Sequence, residues 1–350
     1  MVNIMNKKGR NIFNTIKNYK QNYFKSDLYS GLSVATLCIP QNMAYALIAG
    51  LNPIYGLYTS IVSQIISTIT GKSSYIIVGP TNLMAMAIAS NLNYVAENNY
   101  LEMVVLLTFL VGLFQIMAGI FRLGKLVRYV SHPVIIGLTS GAAIIIGVGQ
   151  IKNLIGIDFG RTYNVFIEFY KLIINLSTTN IISLLLGSST IVIILLLKKS
   201  RFKVPSYLLG VFLITLITMI FGLESFVDTV GKLNLDSFSI GIPNLKLNDV
   251  LNTSSKALAV AIVGLIQTLA VVKSISVREN EDLDINKEFI SQGLMNFGLS
   301  FFNGFASSAS FTNTFANAQS GAKTRISELI SALTIIIFIL FFGLFIIVIA

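Results

Sequence analysis

Tyr75-Ile76-Ile77-Val78-Gly79-Pro80-Thr81-Asn82 runs into Leu83-Met84-Ala85-Met86-Ala87-Ile88-Ala89-Ser90, and this stretch decides how the chain folds. Tyr75 to Val78 favour extended structure. Gly79-Pro80 then breaks the backbone, because glycine frees it and proline removes an N–H donor. Beyond the break there is room for only a half-length helix before Asn91 and Asn93. Far along the chain, Phe305-Ala306-Ser307-Ser308-Ala309-Ser310-Phe311-Thr312-Asn313-Thr314-Phe315-Ala316-Asn317 has the same character. It is short, hydroxyl-rich and weakly apolar.

Both stretches lie between apolar runs. The 350 residues are 54% hydrophobic and 11% charged, with a mean hydropathy of +0.77. A soluble domain carries about 25% charged residues to cover its surface. Continuous Ile/Leu/Val/Phe runs near the roughly 20 residues that cross a bilayer core indicate membrane helices rather than barrel strands. Spans are expected at about 28–49, 53–70, 76–92, 101–121, 127–150, 180–197, 204–222, 255–275, 288–304, 308–319 and 326–349. The stretch 163–176 is too short and too charged for a span and is expected at the interface. The fold class is an all-α polytopic helical bundle containing two broken half-helix segments.

With the N-terminus inside, loops alternate sides along these spans. Only Lys152, Arg161, Lys171, Lys232, Lys246 and Lys256 of the 25 Lys/Arg then fall outside. This is the positive-inside bias. It explains the net charge of +10 without nucleic acid, and residues 1–26 become a basic cytoplasmic lead-in. The count requires both short segments to cross, since dropping one inverts every later loop. The expected localisation is the cell (inner) membrane, multi-pass with a cytoplasmic N-terminus. The acidic loop 278–287 and the longer polar loop 223–254 are read as solvated connections.

Chemistry-bearing motifs are few. Gly71-Lys72-Ser73-Ser74 ends like a phosphate-binding loop, but position 66 is Ile where that motif needs glycine. Lys72 is better read as an orientation anchor. Cys38 lies in an apolar helix and reads as a packing residue. One histidine and one cysteine leave no zinc or haem constellation, so no cofactor is expected. No nucleophile–base pair is visible at membrane depth, which argues against an enzyme. No ionisable side chain is expected deep in a span apart from Lys273, near a cytoplasmic end.

Broken backbone at membrane depth survives only where it lines a cavity or is buried in protein. Two such breaks in corresponding halves point to inverted repeats meeting at a midplane site. There the positive N-terminal ends of two half-helices face one another, a geometry that suits an anion. The plainer reading is that Gly, Ser and Ala simply allow close helix packing.

A family resemblance enters at the first span. Asp27-Leu28-Tyr29-Ser30-Gly31-Leu32-Ser33-Val34, then Ile39-Pro40-Gln41-Asn42-Met43-Ala44-Tyr45-Ala46 and Gly50-Leu51-Asn52-Pro53-Ile54-Tyr55-Gly56, resembles the signature of the sulfate permease (SulP) family. Val78-Gly79-Pro80 is similar to that family's third-span break. Ser131-His132-Pro133-Val134, Val263-Gly264-Leu265-Ile266-Gln267 and Phe301-Phe302-Asn303-Gly304-Phe305 come in the expected order. The resemblance covers about 27–349. It implies a secondary transporter or channel-like carrier of small inorganic or organic anions such as sulfate, working by alternating access. The implied fold is a seven-plus-seven inverted repeat. Core spans would occupy about 28–121 and 255–349, gate spans about 127–222, within a transmembrane domain spanning 27–350.

By position, the resemblance implies that Gln41 and Tyr45 face the site from the first span. It likewise implies Pro80 and Thr81 at the third half-helix, Gln267 on the eighth span, and Ser310, Phe311, Thr312 and Asn313 at the tenth. Lipid and a small anion are the implied partners, and a homodimer is compatible with the family. Three departures are visible. Gln267 stands where the family often has a carboxylate that couples transport to protons or sodium. Asn313 stands where it often has arginine, which weakens the case for a doubly charged substrate. The chain stops at Ala350 after about eleven spans, so the last gate helices and the cytoplasmic STAS domain are expected to be absent. Two alternatives stand beside this reading. One is a non-transporting or degenerate membrane protein; the other, ranked lower, is a nucleobase permease, which needs acidic residues where Gln267 and Ser310–Asn313 stand.

Overall fold

A computed structural model of the chain describes residues 7–8, 12–124, 165–199, 206–227 and 240–342 apart from 244, with scattered positions between 140 and 157. The fifth-span residues Ser131–Val134 lie outside the described residues. The chain divides into two compact units, one of Met1–Val130 with Asn234–Ile339 and one of Ser131–Leu233 with Leu340–Ala350.

In the first unit, the short helix α1 (Ile12–Lys17) precedes the long α2 (Gln21–Ile48). Helix α2 begins several residues before the expected first span, because nothing in the basic lead-in from Gln21 breaks a helix. Gly50 adopts a left-handed φ of 83°, and Asn52 then caps α3 (Pro53–Thr70), whose N1 residue is proline. Strand β2 (Val78–Gly79) and helix α4 (Asn82–Asn91) realise the break read from the sequence. Helix α5 (Glu97–Ile120) comes next.

After the second unit the chain returns in α9 (Leu247–Glu279). This helix starts about two turns inside the polar loop expected up to 254. Asp249 in its first turn and good helix formers carry the helix outward. Strand β3 (Glu281–Asp282) leads to α10 (Ile285–Leu299), whose N-cap Asp284 accepts the Asn286 and Lys287 N–H groups. Strand β4 (Ser308–Ala309), the half-helix α11 (Phe311–Gln319) and α12 (Ile326–Phe342) follow, α12 belonging to this unit as far as Ile339. Residues Lys7 and Lys8 form β1, parallel to β3.

Close helix contacts use small residues. A Cβ on Gly112 of α5 would stand 2.4 Å from the Phe297 nitrogen, and one on Gly293 of α10 would stand 2.5 Å from the Ile116 nitrogen. Only hydrogen fits at either position, as expected of membrane helices that approach backbone to backbone. One apolar cluster gathers Ala46, Met84, Ile88, Leu107, Val260 and Phe305 around α4. Cys38 is buried in α2, 3.7 Å from the Gln64 Nε2. At the start of α2, the Asp27 carboxylate accepts the Lys323 and Thr324 N–H groups and the Thr324 hydroxyl, tying this end to the loop before α12.

The second unit contains α6 (Val165–Ile174), α7 (Ile181–Lys199) and α8 (Ser206–Ile220). The chain bends by 114° between 166–178 and 181–197, so the stretch expected at the interface does not continue into the next helix. Ile181, Leu185, Leu195, Leu196 and Ile220 are exposed, an outward apolar surface of the kind that lipid covers. Among the described residues, Gln21–Ile48, Asn98–Ile120 and Leu247–Glu279 are each long and apolar enough to cross a membrane core alone.

Candidate functional site between two half-helices

Val78 and Gly79 of β2 pair with Ala309 and Ser308 of β4, antiparallel. Each strand runs straight into a half-helix. An antiparallel pair sends its two chains out in opposite directions, so the N-termini of α4 and α11 approach the pair from opposite sides. Thr81 caps α4, its Oγ1 accepting from the Met84 N–H at 3.4 Å. Ser310 caps α11, its Oγ accepting from the Asn313 N–H at 3.3 Å. Both caps are buried. Each helix end therefore keeps further N–H groups that its own turn does not satisfy.

Gln267 on α9 crosses between the two. Its Oε1 accepts the Thr81 hydroxyl at 3.2 Å, and its Nε2 donates to the Ala309 carbonyl at 3.2 Å. The Thr81 and Ser308 hydroxyls are 3.3 Å apart. Thr81, Gln267, Ser308, Ala309 and Ser310 thus form one connected polar patch without a formal charge. Pro80 is buried beside it. The Asn313 side chain is buried, and its Oδ1 has no partner among the described residues. Gln41 donates to the Tyr45 hydroxyl at 2.8 Å, one turn away on α2, and its own Oε1 is likewise without a partner among them. Tyr45 also packs on the cluster containing Met84 and Phe305. Phe311 is half-buried and stacks on Phe315 at 6.4 Å, whereas the Thr312 side chain is exposed.

Several supporting residues escaped the sequence reading. Gln292 and Asn296, one turn apart on α10, both donate to the Ser307 carbonyl, at 2.6 and 3.0 Å. The Asn296 Oδ1 accepts the Ser307 N–H at 2.8 Å, and its Nδ2 reaches the Gln115 Oε1 of α5 at 2.8 Å. Thr314 of α11 accepts the Ile77 N–H at 3.1 Å. The available signal was amides at i, i+4 spacing inside otherwise apolar runs, which signify partners because an unpaired amide there is costly.

Burial within the protein reaches charged residues at the ends of the expected spans and in a loop. Glu288 and Glu328 fall in the first turns of expected spans, and Arg325 immediately precedes the last, yet all three are buried. Glu281, in the loop read as solvated, is also buried. Sequence alone does not reveal that these side chains turn inward onto backbone groups.

The sequence profile of the sulfate permease family matches residues 24–350. The chain belongs to the sulfate permease family. Among curated relatives, sulfate transporter 2.1 of Arabidopsis thaliana is 34% identical over 344 residues, covering 93% of this chain and 50% of the relative. A putative sulfate transporter of Bacillus subtilis is 28% identical, covering 93% of this chain and 62% of the relative. The chain thus spans about half the length of the Arabidopsis relative. Of solved structures, the murine solute carrier 26 member A9 anion transporter in its inward-facing state superposes with a TM-score of 0.83 at 23% identity, covering 95% of this chain and 59% of that one. The transmembrane domain of a cyanobacterial bicarbonate transporter superposes with a TM-score of 0.81 at 24% identity, covering 94% and 86%. Sulfate permeases are multi-pass membrane transporters, not enzymes, and the apolar helices of this chain accord with that class.

Proposed function

We propose that this sulfate permease homologue carries a small anion across the membrane, held between the N-termini of α4 and α11. One observation carries this reading: the antiparallel β2–β4 pair feeds two half-helices whose buried caps, Thr81 and Ser310, flank a single polar patch. Helix N-termini offer N–H groups and a positive dipole end, which hold an anion without a side-chain charge. Asn313 has a buried amide whose Oδ1 lacks a partner among the described residues, and an amide can turn its NH2 toward a bound anion. Gln41, Tyr45, Pro80, Phe311 and Thr312 are assigned to the walls by family position, with Thr312 reaching the anion only if its side chain turns from its exposed setting.

The same reading includes alternating access, the seven-plus-seven inverted repeat, a core of about 28–121 and 255–349 and gate spans of about 127–222. It also includes a cytoplasmic N-terminus and a homodimer. The neutral patch favours a singly charged anion over sulfate, because the groups that compose it supply no formal positive charge to offset a second negative one. Gln267 cannot exchange a proton near neutral pH, so coupling at that position is replaced by exchange-like or channel-like movement.

The test is flux into proteoliposomes of radiolabelled chloride, bicarbonate, sulfate and dicarboxylates. Movement of at least one above the empty-vesicle rate, reduced by Ser310→Ala, is expected. No flux and no binding of any of them would sink the proposal. Binding without flux would favour the non-transporting alternative, for which the Gln267 bridge between both half-helices is the supporting observation.

A further inference from the structure

The connection from α3 to β2 begins Gly71-Lys72-Ser73-Ser74, the composition of an ordinary solvated turn. Three carboxylates from three separate elements converge on its backbone. Glu288, in the first turn of α10, accepts the Lys72 N–H at 2.9 Å. Glu281, in β3, accepts the Ser74 N–H at 2.8 Å and the Ser73 hydroxyl at 2.6 Å. Glu328, in the first turn of α12, accepts the Val78 N–H at 3.1 Å and the Ser67 and Thr68 hydroxyls at 3.3 Å each. Their exposures are 6%, 3% and 1%.

Arg325 lies with them at 3% exposure. Its Nη2 donates to the Ser67 carbonyl at 2.8 Å and stands 3.8 Å from the Glu328 Oε2. A Cβ on Gly71 would fall 2.2 Å from that nitrogen, so glycine leaves the space the guanidinium fills. Burying three carboxylates around one guanidinium is a poor way to gain stability, since apolar residues of similar volume commonly do as well or better. What carboxylates offer and apolar groups do not is a fixed acceptor for backbone N–H groups. Three N–H groups, on Lys72 and Ser74 of the loop and on Val78 at the start of β2, are bound in this way.

The last of them matters most. Val78 is the first residue of β2 and stands three residues before Thr81, the cap of α4. That separation is at most about 10 Å of extended chain. A displacement of Val78 therefore passes through Gly79-Pro80 to the helix end that faces the anion. Sites of this kind lose function when their support loosens by about 1 Å.

We propose that Glu281, Glu288, Glu328 and Arg325 are positioning residues: they hold the loop and β2 from behind, and so set the affinity of the α4 N-terminus for its anion without touching it. The proposal rests on the anion-site reading above. The assay is equilibrium binding of radiolabelled chloride, bicarbonate and sulfate, each in turn, to the full chain in nanodiscs. Apparent Kd and the number of sites per folded protein are read separately.

Glu328→Ala is expected to raise Kd about 10-fold, the scale of one lost charge-assisted hydrogen bond. Glu281→Gln and Glu288→Gln keep shape and an acceptor oxygen and should raise it only about threefold. The paired change Arg325→Gln with Glu328→Gln removes both charges and keeps an acceptor for Val78; it should return Kd to within about threefold of wild type. A purely structural role would lower the number of sites and leave Kd alone. Wild-type binding with unchanged Kd in all these variants overturns the positioning role while the anion site stands. Failure of the wild-type chain to bind any of the three labelled anions overturns both together.

Discussion

The two breaks share a geometry but are held by different chemistry. The β2 arm is tethered through carboxylates: Glu328 on Val78, Glu281 on Ser74 and Glu288 on Lys72. The β4 arm is tethered through neutral amides: Gln292 and Asn296 on Ser307, with Gln115 behind them. Charged hydrogen bonds are stronger one by one, but each carries a desolvation cost and responds to protonation. Amide bonds are weaker and indifferent to pH between acid and base extremes. A site built from one arm of each kind therefore has one adjustable side and one fixed side.

The comparison can be broken first at its strongest point. Glu328→Ala leaves Arg325 buried without its nearest carboxylate, and removing one partner of a buried pair costs about 3–5 kcal/mol. Thermal unfolding in detergent, read by fluorescence size exclusion, should show a large drop in midpoint. The paired Arg325→Gln and Glu328→Gln change should recover most of it. If Glu328→Ala is as stable as wild type, the charged arm is not a tether.

Asn296→Ala tests the other arm. It strands the Ser307 N–H and leaves its carbonyl to Gln292 alone, for a loss of about 1–3 kcal/mol. Its effect should be the same at every pH between about 5 and 8, because the amides that hold Ser307 do not titrate there. A pH-dependent penalty would show the arms to be coupled.

The caps come next. Thr81→Ala and Ser310→Ala should each cost about 1 kcal/mol of helix capping. Thr81→Ala should weaken anion binding further, since its hydroxyl also reaches Gln267 and Ser308. Equal affinities in the two variants would remove the asymmetry between the arms.

The smallest effect concerns Glu281, which lies outside the spans. Burial pushes its carboxyl above the usual carboxylate range, against the opposing hydrogen bonds from Ser73 and Ser74. A folded value raised above the unfolded one gives stability that is complete below the ordinary carboxylate value of about 4.3. That contribution is lost as pH rises through the raised value. Glu281→Gln should flatten the fall in unfolding midpoint over this window, by less than about 1 kcal/mol. Identical pH profiles for the variant and wild type would show that Glu281 does not titrate there.

Much of this was legible in the chain itself. The Gly79-Pro80 break, the half-helix ending by Asn91 and the hydroxyl-rich Ser307–Asn317 stretch arise from local rules about donors, φ freedom and apolar length. Thr81 and Ser310 were reached through the family resemblance, and their role as caps came only with the helix bounds. Membrane residence is dictated by apolar runs that no soluble surface could accommodate.

Other features depend on partners far apart in sequence. Ser307 and Asn296 are eleven residues apart across a turn, Val78 and Glu328 are 250 apart, and Lys72 and Glu288 are 216 apart. No periodicity or composition rule links such pairs. An acidic residue in a polar loop looks solvated until the fold brings backbone N–H groups to it, as happens at Glu281. The sequence by itself determined where the backbone had to break, because breakage is a property of adjacent residues. Only the tertiary structure decided what holds each broken end, because a hydrogen bond needs its two groups within about 3 Å, and only the folded chain brings distant residues that close.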